Sequence, residues 1–327
     1  MKRLILIVLA FMVGISPIDA KRKANRPKAD TYTAEECIDA FVGRMNANAK
    51  QFGMTNTCFK NASGWGAEGH VSTASDMVRL LMAATTYDKL MLYWGWETYE
   101  INVMGANPRT IKVKNTYKGP KAASLGEHYV IFGGKSGSWS RGRGKGHWRN
   151  LASAVKSNID DRWLIGCVMD TGKDRFVAMK QLMDWLEAKR VNPDTPDSLA
   201  LDCNYAAATV LPLHSGMAYR DFNPVMVGKD ADTQMAPYSM TKMMTAIIAL
   251  DYCLPDEIIT VQESDIMKGS GPKLYDGDKL TMEEAIIALM LPSSNTLAKA
   301  ISRHVGEKIL TLHNEGPKVK KSKKARK

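Results

Sequence analysis

The segment Ser239-Met-Thr-Lys242 places a hydroxyl and an amine three residues apart. On a helix, residues at this spacing share one face, so the two side chains can touch. A serine hydroxyl is a poor nucleophile until a neighbour takes its proton, and a lysine can do so when burial or nearby positive charge lowers its pKa. The pair predicts nucleophilic catalysis, although alone it is more typical of an ordinary helix start with an exposed lysine.

The same S-x-x-K spacing occurs at Ser153 and Ser270. Ser153 lies in a predicted strand, where residues three apart face opposite sides. Ser270 lies in a turn rich in glycine and proline. Only Ser239 is expected at the start of a helix, where backbone N–H groups can also receive an oxyanion.

A second motif, Ser293-Ser-Asn295, lies between a helix that Pro292 ends and the helix that follows. Its side chains should therefore project from a tight turn. In isolation such a turn is an ordinary helix cap.

A third motif, Lys135-Ser-Gly-Ser138, follows a predicted edge strand over 129–132. A lysine and a hydroxyl at a strand edge can hold a substrate carboxylate, and a glycine there lets another backbone approach closely. The alternative is a basic turn that runs into the loop over 141–145.

Capping residues and hydrophobic periodicity predict the elements that must position these motifs. The chain is expected to contain both helices and strands, with a polar linker over 191–198. Helices are predicted over 33–53, from 72–76 onward, over 175–189, 240–250, 281–291 and 296–305, and strands over 147–155, 163–169, 204–211 and 214–220.

Together, S-x-x-K, S-x-N and K-[ST]-G are the three signatures of penicillin-binding proteins and serine β-lactamases. The residues over 237–245 and 280–295 resemble the corresponding segments of D-alanyl-D-alanine carboxypeptidases, the low-molecular-weight penicillin-binding proteins. Stretches between 45 and 76, such as Phe59-Lys-Asn61 and His70-Val-Ser-Thr-Ala-Ser-Asp76, look like the segment that follows S-x-N in that family. The resemblance covers about residues 33–310.

The resemblance implies an α+β, β-lactamase/transpeptidase-like fold, with an antiparallel sheet flanked by helices plus a helical subdomain. The motif order departs from the family, because Lys135 precedes Ser239 and Ser293 here. The chain therefore looks circularly permuted, with the family's usual ends joined by the linker over 191–198 and new ends opened between two surface helices. A misassembled gene or a swapped dimer are the alternatives.

The expected organisation is one catalytic domain between two short terminal segments. Within that domain, 33–94 and 239–310 would form the helical part and 95–238 a mainly α/β part. The predicted boundaries are a signal peptide over 1–20, a basic tail over 21–32, the catalytic domain over 33–310 and a second basic tail over 311–327.

By resemblance, the chain would remove the terminal D-alanine from peptidoglycan stem peptides through an acyl-enzyme, and β-lactam antibiotics would inhibit it covalently. The resemblance requires no metal or cofactor. The implied roles are Ser239 as nucleophile, Lys242 as base, Ser293 as proton relay, Asn295 as ligand of the substrate amide, Lys135 and Ser136 as ligands of the carboxylate, and the backbone N–H groups of Ser239 and Ser138, beside Gly137, as the oxyanion hole.

Two other functions share these motifs. A serine β-lactamase is disfavoured because the sequence contains no E-x-x-L-N segment of the kind that one large class uses to activate the deacylating water. The other alternative is an inactive peptidoglycan-binding module that keeps the fold without turnover.

The formal charge of the 327-residue chain is +11, but it is unevenly placed. Residues 1–28 and 317–327 carry +13, which leaves −2 for the body, so a basic groove for nucleic acid is not indicated. We expect the two basic tails to meet and to bind an anionic envelope polymer or only to aid solubility.

Residues 1–20 have a positive start, a 12-residue apolar stretch and a small residue at position 20, which predicts export to the periplasm or cell envelope, peripheral to the membrane.

The five cysteines show neither a C-x-x-C pair nor metal-ligand spacing with the histidines. Most are expected to be small buried hydrophobic residues.

Overall fold

A computed structural model describes residues 32–117, 122–143, 145–197, 200–211 and 225–314. The predicted signal peptide, most of both basic tails and the strand predicted over 214–220 lie outside these residues. Among the described helices, none has the length and apolarity needed to cross a membrane.

Eight α-helices occur in the described chain, and a short 3-10 turn, Tyr238–Thr241, leads into the sixth. The helices are α1 (Ala34–Gln51), α2 (Ala74–Ala84), α3 (Asp88–Trp94), α4 (Ala123–Gly126), α5 (Arg175–Val191), α6 (Lys242–Tyr252), α7 (Met282–Met290) and α8 (Asn295–Asn314).

Nine strands form two antiparallel sheets in the described residues, in the orders β3-β4-β5-β6-β7 and β2-β1-β9-β8. The expected α+β class with an antiparallel sheet and flanking helices is therefore present. The strands are β1 (Thr98–Gly105), β2 (Arg109–Lys114), β3 (Ile131–Ser140), β4 (His147–Lys156), β5 (Trp163–Thr171), β6 (Cys203–Val210), β7 (Val227–Lys229), β8 (Ile258–Thr260) and β9 (Asp278–Thr281).

The five-stranded sheet is covered by helices on both faces. Along β4 and β5, alternate residues enter two different hydrophobic clusters, as the two-residue period of a strand requires. Ala152 and Ile165 pack in the cluster that contains α2 and α6, whereas Leu151 and Leu164 pack in the cluster that contains α5. Because β3 is the edge strand of this sheet, its outer side is free to face the segment that carries Ser239.

Local capping chemistry sets the helix starts near the site. Thr73 accepts a hydrogen bond from the Asp76 N–H and caps α2. Thr281 and Glu284 form the predicted reciprocal capping box of α7. The helices predicted from 72–76 and from 281 are thereby confirmed.

Two predicted boundaries are wrong. The strand predicted over 129–132 occurs as Ile131–Ser140, so the Lys135 motif lies inside a strand rather than after one. Pairing with β4 over nine register positions supplies the hydrogen bonds that extend it. The helix predicted over 296–305 runs on to Asn314.

Packing against α1 accounts for the longer helix α8. The carbonyl oxygen of Cys37 in α1 lies so close to Gly306 in α8 that an added Cβ would sit 1.7 Å from it. Only glycine permits this approach, which places the start of α1 against the second half of α8.

Three of the cysteines, Cys37, Cys167 and Cys203, are buried, and all five are free thiols. The expectation that most of them behave as small buried hydrophobic residues is confirmed.

Candidate active site

Ser239 and Lys242 lie at the junction between the 3-10 turn and α6. Lys242 is fully buried, Ser239 is partly exposed, and Lys242 Nζ lies 2.9 Å from Ser239 Oγ. The preceding residue, Tyr238, has a φ of +50°, an uncommon conformation for a side chain of this size. The turn therefore places the hydroxyl of partly exposed Ser239 next to the buried amine.

Two further oxygens surround the amine. Lys242 Nζ lies 2.8 Å from Asn295 Oδ1 and 2.8 Å from the backbone oxygen of Ser63. Burial and, secondly, the charge of Lys135 hold the pKa of Lys242 well below its usual range. A neutral amine has two N–H donors and one lone pair, so donation to these two oxygens directs the lone pair at Ser239 Oγ.

Asn295 is fixed in place as the first residue of α8. Its side-chain nitrogen donates to the Lys268 oxygen at 3.1 Å, and its backbone N–H donates to the Ser270 oxygen at 3.0 Å. The amide orientation is therefore set by the loop over 266–277, with Oδ1 left for Lys242.

Ser293 precedes α8 in the turn that carries Asn295. Its φ is +66°, and its hydroxyl oxygen is buried without a hydrogen-bond partner. Both features cost free energy, and such costs concentrate at functional sites.

The Lys135 motif lies along edge strand β3, against the Ser239 turn. An added Cβ on Gly137 would lie 2.6 Å from the Pro237 oxygen and 3.3 Å from the Ser239 nitrogen. Lys135 is only 1% exposed, and burial, then the charge of Arg175, lowers its pKa to about 7. The structure thus brings the third motif beside the first.

The two remaining hydroxyls of this motif differ in their partners. Ser136 is partly buried, with its Oγ 3.4 Å from Thr116 Oγ1. Ser138 is exposed and accepts a hydrogen bond of 2.7 Å from Arg175.

The alternative S-x-x-K pairs do not assemble in this way. Ser153 is buried and hydrogen-bonded to the hydroxyl of Tyr117, whereas Lys156 forms an ion pair with Asp161 at 2.6 Å. Ser270 supplies its backbone oxygen to Asn295.

Sequence reasoning missed the loop that provides the Ser63 carbonyl. The side chain of Asn61 accepts hydrogen bonds from the backbone N–H groups of Ser63 and Gly64 and donates to the Trp65 oxygen. Gly64 has a φ of +76°, and an added Cβ would overlap the Tyr238 backbone. Asn61 belongs to the segment quoted above for its resemblance, but spacing alone did not connect it to Lys242.

Arg175 was also missed. At the start of α5 it donates to the Gly137 oxygen at 3.0 Å and the Asn150 oxygen at 3.1 Å, besides Ser138 Oγ. It therefore ties the motif strand to β4 and α5. Burial lowers its pKa to about 10, with a further contribution from Arg149.

Aromatic rings form a further part of the surroundings. Trp65 and Trp139 meet edge to face with centroids 4.8 Å apart, and Trp139 is stacked with Tyr238 at 6.2 Å. The first contact joins the loop after Ser63 to the end of β3 across the site.

His70 is hydrogen-bonded to Thr241, the last residue of the 3-10 turn that carries Ser239. The Lys60 backbone N–H donates to His70 Nδ1, so the neutral ring carries its proton on Nε2 and donates to Thr241 Oγ1 at 2.8 Å. Burial and the charge of Lys60 lower the His70 pKa to about 4.

Comparison with known proteins supports the part of the site that lies before residue 138 in the sequence. A family model described as D-alanyl-D-alanine carboxypeptidase matches residues 29–137, a range that ends inside the Lys135 motif. The resemblance to this family is confirmed over that range. The chain is also similar to the D-alanyl-D-alanine carboxypeptidase DacF of Bacillus subtilis (strain 168), with 40% identity over 62 residues.

The likeness to DacF is local, because it covers 19% of this chain and 15% of the relative. No solved structure matches the chain. The residues of the first two motifs lie outside the range that matches the carboxypeptidase family.

Proposed function

We propose that the chain is a serine-type D-alanyl-D-alanine carboxypeptidase that removes the terminal D-alanine from peptidoglycan stem peptides. The observation that carries the proposal is the arrangement of Lys242, whose nitrogen lies within 2.9 Å of Ser239 Oγ, Asn295 Oδ1 and the Ser63 oxygen. The family match over 29–137 supports the same activity from a separate part of the chain.

In the proposed mechanism, Ser239 attacks the carbonyl carbon between the two D-alanines. Lys242, as a neutral amine, takes the proton from the hydroxyl while Oγ forms the bond. The negative oxygen of the tetrahedral intermediate accepts hydrogen bonds from the N–H groups of Ser239 and Ser138, and such donors contribute about 3 kcal/mol each.

Collapse of the intermediate breaks the C–N bond and releases D-alanine. The leaving nitrogen needs a proton, which Ser293 would relay from Lys242, and the unpartnered Ser293 hydroxyl supports this role. Water then attacks the ester carbonyl while its proton passes to Lys242. The bond between the acyl carbon and Ser239 Oγ breaks, Oγ takes the proton back from Lys242, and the shortened peptide leaves as a carboxylic acid.

Two groups would hold the substrate. Asn295 would bond its amide, and Lys135 with Ser136 would bind the terminal carboxylate at the edge of β3. The burial of Lys135 beside this edge supports an electrostatic role, since a charge is stronger where water is excluded.

The permuted chain order is part of the proposal. The contact between Cys37 in α1 and Gly306 in α8 brings together segments that the family would join directly. At the other side, α5 and β6 belong to one hydrophobic cluster and are joined by the linker region that follows Val191. Export to the periplasm or cell envelope also remains a proposal, supported by the composition of residues 1–20.

A relinked gene tests the chain order. Connecting residue 314 to residue 34 by a short flexible linker and opening the chain near residue 195 would restore the order of the family. If the permutation is real, the relinked protein folds and binds penicillin at the same serine. A relinked protein that expresses but does not fold would contradict it.

Release of D-alanine from a D-Ala-D-Ala peptide tests the activity. The wild-type chain should release it and Ser239→Ala should not. A folded wild-type protein that binds peptidoglycan without releasing D-alanine would favour the inactive binding module. Fast hydrolysis of a β-lactam, with little adduct at steady state, would favour the β-lactamase.

A further inference from the structure

A second group of chemically active side chains lies away from the Ser239 site. Cys253 follows the last residue of α6, eleven residues from Lys242, which corresponds to about 16 Å along a helix. Glu257 immediately precedes β8, and His304 and Lys308 lie one turn apart on α8. The proposed catalytic mechanism uses none of these four residues.

The group is arranged around a positive charge. The ammonium group of Lys308 donates to Glu257 Oε2 at 2.5 Å, to the Tyr252 backbone oxygen at 2.9 Å and to Cys253 Sγ at 3.4 Å. A carboxylate, a carbonyl and a sulfur therefore converge on one cation. Such a set of acceptors is what a bound metal ion would require as well.

A third ligand atom completes the group. His304 Nε2 lies 2.6 Å from Glu257 Oε1, and the ligand atoms of Cys253, Glu257 and His304 all lie within 4.8 Å of one another. All three residues are partly exposed, so an ion can reach them and their side chains can adjust.

We propose that Cys253, Glu257 and His304 bind a zinc ion, which takes the place of the Lys308 ammonium. Sulfur, imidazole nitrogen and carboxylate oxygen are the donors that zinc prefers, and water would fill a fourth position. On binding, the Cys253 thiol loses its proton to solvent and the thiolate forms the Zn–S bond. Lys308 gives up its three hydrogen bonds and turns outward, where a third of its side chain is already exposed.

The distances fit such a site after small movements. Zinc bonds of about 2.0–2.3 Å separate tetrahedral ligand atoms by about 3.5 Å. His304 Nε2 and Glu257 Oε1 are now 2.6 Å apart, and the ligand atoms of all three residues lie within 4.8 Å of one another. Shifts of about 1 Å in these side chains would therefore suffice. The ion would connect the end of α6 and the start of β8 to α8, and it would stabilise the helical part without taking part in catalysis.

An ion-pair network without any metal is the alternative. Glu257 with Lys308 and His304 is already a complete network, in which the thiol of Cys253 contributes no charge. The two hypotheses assign different roles to Lys308. In the zinc site its ammonium group competes with the metal ion, whereas in the ion-pair network it is the permanent partner of Glu257.

Titration of the full chain distinguishes them. The protein is reduced, treated with a chelator, freed of it, and titrated with zinc by calorimetry, and with cobalt to detect a sulfur-to-metal absorption band. The expected result is one zinc per chain with a rise in Tm. Cys253→Ser and His304→Gln should each weaken binding at least about tenfold, and Cys253→Ser should abolish the sulfur band.

Lys308→Met provides the sharpest variant. It removes the competing cation, so zinc should bind at least about tenfold more tightly than to the wild type. Cys58→Ser, at another partly exposed free thiol, should change nothing. No stoichiometric binding to the wild type or to Lys308→Met would overturn the proposal, as would a cobalt spectrum that Cys253→Ser leaves unchanged. The result is independent of whether Ser239 is acylated.

Discussion

Lys242 Nζ lies 2.9 Å from Ser239 Oγ, and the lysine side chain is enclosed so that no part of it reaches solvent. Two oxygens occupy its other hydrogen-bonding directions. Burial disfavours the charged form of the amine. These contacts support the proposed role of Lys242 as the base for Ser239.

Lys242→Met tests the assignment of the base. Without the amine, acylation of Ser239 should slow by about 10²–10⁴-fold, since that is the usual contribution of a general base. The rate of β-lactam acylation in stopped-flow or quenched assays measures this. Lys180→Met, at a partly exposed lysine paired with Asp184, is the control and should acylate at the wild-type rate. Equal rates in the two variants would contradict the assignment.

Ser293 and Ser294 are adjacent and should respond in opposite ways. The Ser293 hydroxyl is buried without a partner, so Ser293→Ala should leave the free energy of unfolding unchanged or raise it by about 1 kcal/mol. Turnover should fall by about 100-fold or more if the hydroxyl relays a proton.

The Ser294 hydroxyl, in contrast, accepts a hydrogen bond from the Leu297 N–H at the start of α8. Ser294→Ala should therefore cost about 1 kcal/mol of stability and leave turnover in place. Denaturant titration and D-alanine release on both variants make the comparison. A Ser293→Ala protein that is fully active would remove this serine from the mechanism.

The sequence could predict the parts of the site that lie within a few residues of one another. Ser239 with Lys242, and Ser293 with Asn295, were predictable because a helix start or a tight turn fixes residues a few positions apart. The Ser63 carbonyl and Arg175 could not be predicted in this way, since both reach the site from distant parts of the chain through tertiary packing.

The same distinction holds for the fold. Helix starts with clear caps, such as that of α7, were predicted correctly. The motif strand β3 was predicted too short, because Lys-Ser-Gly-Ser has little intrinsic strand preference and its pairing with β4 decides the outcome. The length of α8 likewise depends on α1, which a local pattern does not contain.

Gly137→Ala tests the contact between β3 and the Ser239 turn. The added methyl group would lie 2.6 Å from the Pro237 oxygen, which is backbone and cannot rotate away. The turn and the strand must separate, so acylation should be lost or fall by about 100-fold or more. Gly43→Ala is the matched control, because an added Cβ there meets nothing within 4 Å on an exposed face of α1. The free energy of unfolding of Gly43→Ala should stay the same or rise by up to about 1 kcal/mol.

Acid should weaken the fold through His70. The pKa of this buried ring is lowered to about 4 from the ordinary 6.5, so the unfolded chain binds the proton more readily. The free energy of unfolding is therefore highest above pH 6.5, where the ring is neutral in both states. It should fall by up to about 3 kcal/mol as the pH decreases towards 4.

Denaturant titrations from pH 7 to pH 4 measure this loss. In His70→Gln the pH dependence should be shallower than in the wild type, although the variant is less stable at pH 7 because the bond to Thr241 is gone. His147→Gln, at an exposed histidine, should follow the wild-type curve. Parallel curves for His70→Gln and wild type would show that His70 is not the acid-sensitive group.

We propose that segments from distant parts of the chain assemble an acylation site at Ser239. Incubation of the purified protein with penicillin, followed by mass spectrometry of the modified peptide, tests this proposal most directly. We predict one adduct per chain on Ser239, within the peptide that contains Lys242, and none in Ser239→Ala. A folded protein that forms no adduct, or one labelled at Ser153 or Ser270 instead, would contradict the account.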